Sequence, residues 1–413
     1  MASICFYFQV HQPFRIKDYR VFDIGNDQEY FSDDTDRDIN NKKILNKVAT
    51  KCYLPTNALL LELLEKHPEF KISFSFSGVV LEQLEQFSPE TLRSFQKLVE
   101  TGRVEVLDET FHHSLAFLYS KEEFRRQVKL HREKIQNLFG VTPVVFRHTE
   151  FIYNNDLAHE IESMGYKGIL AEGADHVLEW RSPNFLYKPT GTKNLKLLLK
   201  NYRLSDDIAF RFSAQDWSGY PLTAPKFAEW VSQVNGAGEV VNLFMDYETF
   251  GEHQWEHSGI FEFLRQLPGE ILKHPDNNFM TPSDVIAHYK PVAELDVPNF
   301  MSWADVERDL SAWIGNPMQH DALKSIYALE EEVVRTDNQD ILRDWRRLQT
   351  SDHFYYMCTK YFNDGDVHKY FNPYNTPYEA FIAYMNVLAD MRLRLDAEMQ
   401  SNKEPKKIPV KSL

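Results

Sequence analysis

Seven short apolar runs in the first part of the chain constrain its fold more than any other feature. Each run is rich in branched and aromatic side chains, has the length of a buried strand and ends at polar or glycine residues. Most of them alternate with stretches of helical periodicity, which is typical of a parallel barrel or a doubly wound sheet. The predicted strands are Ser3–Val10, Phe70–Phe76, Val104–Leu107, Val144–Phe146, Lys167–Ala171, Leu195–Leu199 and Val240–Met245.

Ionisable side chains gather directly after several of these runs. His11 follows the first run, Glu150 the fourth, and Asp246 and Glu248 the seventh. A carboxylate without a partner at the end of a buried strand is costly, because the surrounding dielectric is low. Active sites of parallel barrels are built at the carboxyl ends of the strands, so the pattern favours a barrel. For any single run, a strand end with solvated carboxylates is the simpler interpretation.

From about Asn299 the sequence changes to long helical patterns. Asn316-Pro317 has the form of an N-cap followed by proline and predicts a helix to about Val334. A second helix is predicted over Asp340–Phe362, and Thr376–Glu379 has the form of a capping box before a third. We expect a barrel domain over residues 1–295, a helical bundle contributing to the active-site cleft over residues 296–402, and a flexible tail over residues 403–413.

Composition narrows the partners and the cellular compartment. The chain has 46 Lys and Arg against 61 Asp and Glu, a net charge of −15, which argues against nucleic acid or an anionic membrane as the main partner. The three cysteines, Cys5, Cys52 and Cys358, lack CxxC spacing and indicate neither a disulfide framework nor a structural zinc site. We see no signal peptide and no membrane span, so we expect a cytoplasmic protein.

Five motifs lie in order along the chain. They are His11-Gln12-Pro13, Ser77–Glu82 (SGVVLE), Arg147–Asn155 (RHTEFIYNN), Asp246–His253 (DYETFGEH) and Ser302–Asp305 (SWAD). In wording and order they resemble the motifs of glycoside hydrolase family 57, the second α-amylase family. The resemblance spans most of the chain and implies an α/β fold, with an incomplete (β/α)7 barrel followed by a C-terminal α-helical bundle.

The resemblance also implies roles for individual residues. The nucleophile of the family falls on Glu150 and its general acid/base on Asp246, the pair of carboxyl groups that a retaining glycosidase needs. Trp303 and Asp305 match the fifth motif. The remaining sugar-binding positions of the family fall on His11, Glu82, Glu248 and Asp352, to which we add the adjacent His353. No metal and no cofactor is implied.

The implied function is a retaining glycoside hydrolase acting on α-1,4-glucans such as malto-oligosaccharides from starch or glycogen. The stretches Thr149–Asn155 and Ser311-Ala312-Trp313 are more similar to the α-amylase members than to the others. A 4-α-glucanotransferase or a branching enzyme of the same family is the first alternative, because such enzymes share the two carboxyl groups. A glucan-binding protein on an inactive barrel would lack one of them, and both are present.

A metal-dependent hydrolase, such as a polysaccharide deacetylase or a zinc mannosidase, is the alternative from another class. Asp108, His112, His113 and His11 could hold a divalent ion. Against this, the His-x-Asp of the mannosidases is absent, since His11 is followed by Gln12-Pro13. We therefore expect His112 and His113 to bind sugar hydroxyls or to pack beneath the site.

The binding residues also have structural alternatives. His11 could be a hydrogen-bonded histidine at a strand end, and Glu82 a solvated helix residue. Asp352 and His353 could cap or pair within the bundle. Trp303, like Trp255, is as well explained by packing as by sugar stacking. The polar stretch at residues 15–45 is either a lid or an ordinary surface loop, and Asp364-Gly365-Asp366 is interpreted as a turn rather than a calcium loop.

Overall fold

A computed structural model describes residues 2–32, 39–360 and 367–401, which form two compact units. The first unit contains Met1–Pro13 and Lys42–Leu310, and the second contains Phe14–Asn41 and Ser311–Leu413. Two stretches thus lie in a different unit from the domain predicted for them. Residues 14–41 belong with the helices of the second unit, and residues 296–310 belong with the strands of the first. The predicted tail and the Asp364–Asp366 turn lie outside the described residues.

The strands of the described residues all lie in the first unit. They are β1 (Ala2–Val10), β2 (Ile72–Phe76), β3 (Val104–Val106), β4 (Val145–Arg147), β5 (Gly168–Glu172), β6 (Lys188–Pro189), β7 (Lys196–Lys200), β8 (Val240–Asp246), β9 (Asn277–Phe279) and β10 (Glu294–Leu295).

These strands form two larger parallel sheets. In the first, the order is β3-β2-β1-β8, and β9 pairs with the start of β1. In the second, the order is β4-β5-β7, while β6 and β10 form a separate two-stranded sheet. The predicted mixed α/β fold with parallel sheets is confirmed.

Backbone hydrogen bonds also link the edges of the two larger sheets. The amide of Asp108, just after β3, donates to the carbonyl of Val145 in β4 over 3.0 Å. The amide of Arg147 donates in turn to the carbonyl of Asp108 over 2.9 Å. On the other side, the amide of Asn201, just after β7, donates to Asn242 in β8 over 2.9 Å.

β1 shows why the sheets are buried on both faces. All of its residues are buried, and successive side chains point to opposite faces of a strand. Phe6 and Phe8 pack in the larger apolar core with the helices. Tyr7 packs in a smaller second core and donates a hydrogen bond to the buried Gln9. A polar interior on one face of β1 is what positions the site described below.

The α-helices of the first unit lie between the strands in sequence. They are α1 (Asn41–Val48, whose first residue is counted with the second unit), α2 (Leu54–Lys66), α3 (Gly78–Phe87), α4 (Pro89–Glu100), α5 (Ala116–Tyr119), α6 (Lys121–Phe139), α7 (Asn155–Ser163), α8 (Asp175–Leu178), α9 (Tyr202–Ala209), α10 (Ala224–Ser232), α11 (Ile260–Leu272) and α12 (Pro282–His288).

In the second unit the described regular elements are helical. They are the 3-10 turn Val21–Asp23 and the helices α13 (Ser311–Ile314), α14 (Pro317–Ala328), α15 (Glu330–Thr336), α16 (Gln339–Arg347), α17 (Ser351–Tyr355), α18 (Val367–Phe371) and α19 (Pro377–Ser401). The predicted cap at Asn316 is present, because its side chain accepts a hydrogen bond from the amide of Gln319.

The helix predicted over Asp340–Phe362 is wrong in its extent. α16 ends at Arg347, and α17 begins only at Ser351. Thr350 has non-helical backbone angles, with φ −55° and ψ 131°, and its hydroxyl donates to the carbonyl of Arg347. The ring of His353 also lies 3.2 Å from that carbonyl. The amide of Thr350 also donates to this carbonyl over 3.3 Å. This is the tighter spacing of a 3-10 turn, and with the side-chain bonds it ends the regular helix here.

Gly25 and Tyr30, in the described part of the stretch 14–41, bond to Asp390 of α19, and these bonds explain why this stretch is counted with the second unit. This buried carboxylate accepts hydrogen bonds from the amide of Gly25 over 2.6 Å and the hydroxyl of Tyr30 over 2.5 Å. Tyr30 also accepts a bond from Arg394 over 3.0 Å. The described part of the stretch predicted as a lid or surface loop is therefore anchored to a helix.

Among the described residues, no helix is both long enough and apolar enough to cross a lipid bilayer.

Candidate active site

Glu150 lies directly after β4 in a short 3-10 turn, Thr149–Phe151. Its φ is +58°, a left-handed conformation that costs a residue with a Cβ on the order of 1–2 kcal/mol. Its backbone carbonyl accepts a hydrogen bond from the amide of Trp303 over 3.3 Å. The turn gives the side chain a direction that a continuing strand would not, and such strained positions concentrate at functional sites.

Two donors hold the Glu150 carboxylate. The indole N–H of Trp303 donates to its Oε2 over 2.9 Å. On the other oxygen, Nε2 of His113 lies 3.4 Å from Oε1. The side chain is 17% exposed, so it is positioned by the protein and still open to a ligand.

His113 connects Glu150 to the buried Glu109, whose Oε2 lies 2.9 Å from its Nδ1. Burial lowers the pKa of His113, but its hydrogen bonds and charge interactions with Glu109 and Glu150 outweigh burial and raise the pKa to about 9. Burial raises the pKa of Glu109. The hydrogen bond to His113 and the charges of His113 and Arg147 outweigh burial and lower this pKa to about 2. His113 is therefore a cation at neutral pH beside the carboxylate of Glu150.

Asp246 is the last residue of β8 and lies opposite Gln9 of β1 in the sheet register. Burial raises its pKa to about 6, and the negative charge of Glu150 adds to this effect. Arg147 and Lys200 act in the opposite direction. A carboxyl group that holds its proton to this pH beside a second carboxylate is suited to general acid and base catalysis.

Glu248 follows Asp246 by two residues and is buried. Burial and the charge of Asp246 raise its pKa to about 8. The hydroxyl of Tyr53 and the side-chain amide of Gln12 donate to its Oε1, the latter over 3.4 Å. Each of the first four predicted motifs begins at or directly after the last residues of a parallel strand, namely β1, β2, β4 or β8.

His11 stacks on His113, with ring centroids 4.0 Å apart, and its Nδ1 lies 2.6 Å from the hydroxyl of Ser77. This contact places His11 next to the residues around Glu150. Glu82 is half-buried on α3, in the motif that follows β2. Asp305 is half-buried, has a φ of +55° and lies two residues beyond Trp303.

Asp352 and His353 lie in α17 of the second unit. His353 is buried, and burial lowers its pKa to about 4, so its ring is neutral at physiological pH. The ring lies 5.7 Å from that of Tyr384 and 6.4 Å from that of Phe31. Within its unit, His353 therefore packs among aromatic side chains and stabilises the end of α16.

The structure adds residues that sequence reasoning missed as site residues. Glu109, Arg147 and Lys200 all follow or end strands, which was a usable signal, but nothing in the sequence shows which charges pair across strands. Arg147 is fully buried, 4.8 Å from the ring of Phe151 and 3.9 Å from Glu109.

The residues considered as metal ligands have other neighbours. The carboxylate of Asp108 accepts hydrogen bonds from Tyr166 and Arg132 and contacts the buried ring of His131. His112 is buried against Phe111, with ring centroids 4.7 Å apart. In the described ranges there is no cluster of three or more His, Cys, Asp or Glu side chains arranged to hold a metal.

Comparison with known proteins agrees with this geometry. The family model described as glycosyl hydrolase family 57 matches residues 5–298. A protein of Methanocaldococcus jannaschii that carries the provisional name of an alpha-amylase is 45% identical over 399 residues, 94% of this chain and 83% of that protein. An alpha-amylase of Pyrococcus furiosus is 23% identical over 58% of this chain, which matches about a third (36%) of that protein's length.

Solved structures show the same fold at low sequence identity. A GH57 branching enzyme from Thermococcus kodakaraensis, crystallised with glucose, superposes with a TM-score of 0.70, at 14% identity over 97% of this chain and 91% of that one. The alpha-amylase AmyC from Thermotoga maritima gives a TM-score of 0.61 at 14% identity, over 98% and 94% of the two chains. With the family model matching well over half of its length, this chain belongs to glycosyl hydrolase family 57 and is a glycoside hydrolase.

Proposed function

We propose that this enzyme is a retaining hydrolase of α-1,4-linked glucans, with Glu150 as nucleophile and Asp246 as general acid and base. The observation that carries the proposal is the contrast between the two carboxyl groups. Glu150 has a cationic histidine and an indole N–H at its oxygens, while burial and Glu150 keep a proton on Asp246 up to about pH 6. One group is suited to attack and the other to protonate the leaving oxygen.

In the first step, a Glu150 oxygen attacks the anomeric carbon while Asp246 gives its proton to the departing glycosidic oxygen. In the second, the ionised Asp246 takes a proton from water, which displaces Glu150 from the sugar. His11, Glu82, Glu248 and Asp305, all in the first unit, are proposed to bind sugar hydroxyls. The substrate class follows from the names of the relatives, which are alpha-amylases and 4-alpha-glucanotransferases.

For the fold, we propose that seven strands form the incomplete barrel of the family, with a helical bundle domain after it. The hydrogen bonds between Asp108 and Val145 and between Asn201 and Asn242 support this, because they link both edges of the two larger sheets.

The test of the substrate and of hydrolysis is product analysis with maltoheptaose. We expect only shorter malto-oligosaccharides. Products longer than the substrate would mean transfer to a sugar hydroxyl, the activity of a 4-α-glucanotransferase, and α-1,6 branch points would mean a branching enzyme. No cleavage of any α-glucan would contradict the proposal.

Chelation separates this mechanism from a metal-dependent one. If a proton activates the leaving oxygen, no Lewis acid is needed, and activity should survive exhaustive EDTA and dipicolinate treatment. Loss of activity with recovery on adding zinc would favour the metal-dependent class and make His112 and His113 candidate ligands.

A further inference from the structure

Trp303 is enclosed by cations and by an aromatic ring. The Lys200 ammonium lies 5.4 Å from the centroid of its ring, and the Arg147 guanidinium lies 5.1 Å from it. The ring of Phe151 packs at 4.9 Å. Cations within about 6 Å of an indole face are attracted to it. The ring is thus held in place by the protein, and its N–H points at Glu150.

Lys200 is itself held by a cluster of charged side chains at and after the ends of β5 and β7. Its ammonium is buried, 3.1 Å from Asp206 and 3.6 Å from Glu172. Arg308 completes the cluster at 3.7 Å from each of these carboxylates, and its guanidinium donates to the backbone carbonyl of Trp303. Buried charges of this kind depend on one another, because removing one leaves the others without compensation.

We propose that Lys200 and Arg308, together with Glu172 and Asp206, are positioning residues that hold Trp303 and, through its indole N–H, the attacking carboxylate of Glu150. The inference rests on the proposed function, since it assigns these residues to the attack by Glu150. An attacking group must lie within a fraction of an ångström of its productive position, and a displacement of about 1 Å can cost about a hundred-fold in rate.

The experiment measures the attack alone, with 5-fluoro-α-maltosyl fluoride as the reagent. A Glu150 oxygen forms a bond to the anomeric carbon, and fluoride leaves with the electron pair of the C–F bond. The product is a covalent glycosyl-enzyme that mass spectrometry locates at Glu150. The rate at saturating reagent reports attack, and the half-saturating concentration reports binding.

Lys200→Met should lower the saturating labelling rate by about ten-fold or more with little change in half-saturation, and Lys200→Arg should restore most of it. The matched control is Lys226→Met. Lys226 also lies over an indole, 5.5 Å from the ring of Trp230, but in α10. The Lys226→Met variant should be labelled at the wild-type rate. Trp303→Phe keeps a ring and removes the N–H donor, so it should lower the rate as Lys200→Met does.

A pH profile reports the charge of Lys200 at Asp246, which is separate from its hold on Trp303; the recovery of the labelling rate in Lys200→Arg is the readout that a merely structural role would not give. Glu150 raises the pKa of Asp246, whereas Arg147, Lys200 and His113 lower it. Asp246 in turn raises the pKa of Glu248 and that of Tyr7. Removing the charge of Lys200 should therefore move the alkaline limb of kcat/KM to higher pH, and Lys226→Met should leave the limb unchanged.

The outcomes separate this inference from the proposed function. If the wild type labels at Glu150 but Lys200→Met and Trp303→Phe label as fast as Lys226→Met, the positioning role is overturned alone. If Lys200→Met does not fold, Lys200→Gln, which also removes the charge but keeps a polar end, takes its place in this comparison. If the wild type does not label at Glu150 while hydrolysing α-glucans, the proposed nucleophile is wrong and the inference fails with it.

Discussion

At the scale of single residues, Glu150 is defined by its contacts rather than by its strand. It has left-handed backbone angles, an indole donor on one oxygen and a histidine cation near the other. The motif RHTEFIYNN led to the residue, but the sequence did not reveal these partners. Glu109 and His113 lie in one stretch well before Glu150 in the chain, and Trp303 follows Glu150 by 153 residues, so the contacts of these residues with Glu150 have no local signature.

Replacing Glu150 with Gln should abolish turnover without unfolding the protein. The change keeps the size of the side chain and removes the attacking charge, so kcat on malto-oligosaccharides should fall by several orders of magnitude. Glu133→Gln, at an exposed site on α6, is the control for the same chemical change. Azide should restore activity to Glu150→Gly. A folded Glu150→Gln enzyme with nearly full activity would remove Glu150 from the mechanism.

The Glu109–His113 pair predicts how stability depends on pH. The pKa of Glu109 falls from its usual 4.5 to about 2, and that of His113 rises from its usual 6.5 to about 9. The pair therefore gives its full stabilisation of the folded protein between pH 4.5 and pH 6.5, the usual pKa values of the two groups. Its contribution is lost as pH rises towards the folded pKa of His113, and as pH falls towards that of Glu109.

Glu109→Gln should accordingly lower the free energy of unfolding by about 3 kcal/mol near pH ~5.5 and by clearly less near pH ~9.5. Glu160→Gln is the matched control. Its partner Arg125, at 2.6 Å, does not titrate in this range, so its effect should be the same at both pH values. Denaturant unfolding at the two pH values measures both, and a pH-independent loss for Glu109→Gln would contradict the assignment of charge to His113.

At the scale of elements, the strands were predictable and several other features were not. All seven predicted strands are present with bounds within two residues, because continuous buried apolar runs carry a strong signal. β6, β9 and β10 have only two or three residues each and leave no pattern. The break at Thr350 depends on side-chain bonds to the carbonyl of Arg347, which periodicity does not register.

The bonds that Gly25 and Tyr30 make to α19 lead to a prediction for Asp390. Its replacement by Ala leaves the amide of Gly25 and the hydroxyl of Tyr30 without their acceptor. Buried groups left unsatisfied cost about 1–3 kcal/mol each. Asp396→Ala is the control on the same helix, where a half-exposed carboxylate lies 3.6 Å from Arg392 and contributes about 0–1 kcal/mol.

We expect Asp390→Ala to lower the unfolding free energy by about 2–4 kcal/mol and to open residues 14–32 to hydrogen exchange. Asp396→Ala should change neither. Equal effects of the two substitutions would mean that α19, rather than the bonds to Asp390, holds this stretch.

At the scale of the whole molecule, the chain combines an α/β unit that carries both carboxyl groups with a helical unit. The sequence predicted both kinds of structure, yet it placed the stretch 14–41 with the strands that flank it. Chain order is a poor guide there, because the stretch leaves the first unit after β1 and returns only at Lys42. Its hydrogen-bond partners on α19 lie more than 350 residues away in sequence.

The stereochemical outcome of the reaction tests how the two sheets of the first unit place the carboxyl groups. Glu150 follows β4 in one sheet and Asp246 ends β8 in the other, so their separation depends on the arrangement of both. Direct attack needs about 5–5.5 Å between the carboxyl groups, whereas an inverting pair needs roughly 6.5–9.5 Å to admit a water molecule.

Attack by Glu150 inverts the anomeric carbon, and water activated by Asp246 inverts it again. Proton NMR of the first turnovers on maltopentaose should therefore show the α-anomer before mutarotation. Early β-anomer would mean that water attacks directly and that Glu150 is not a covalent nucleophile.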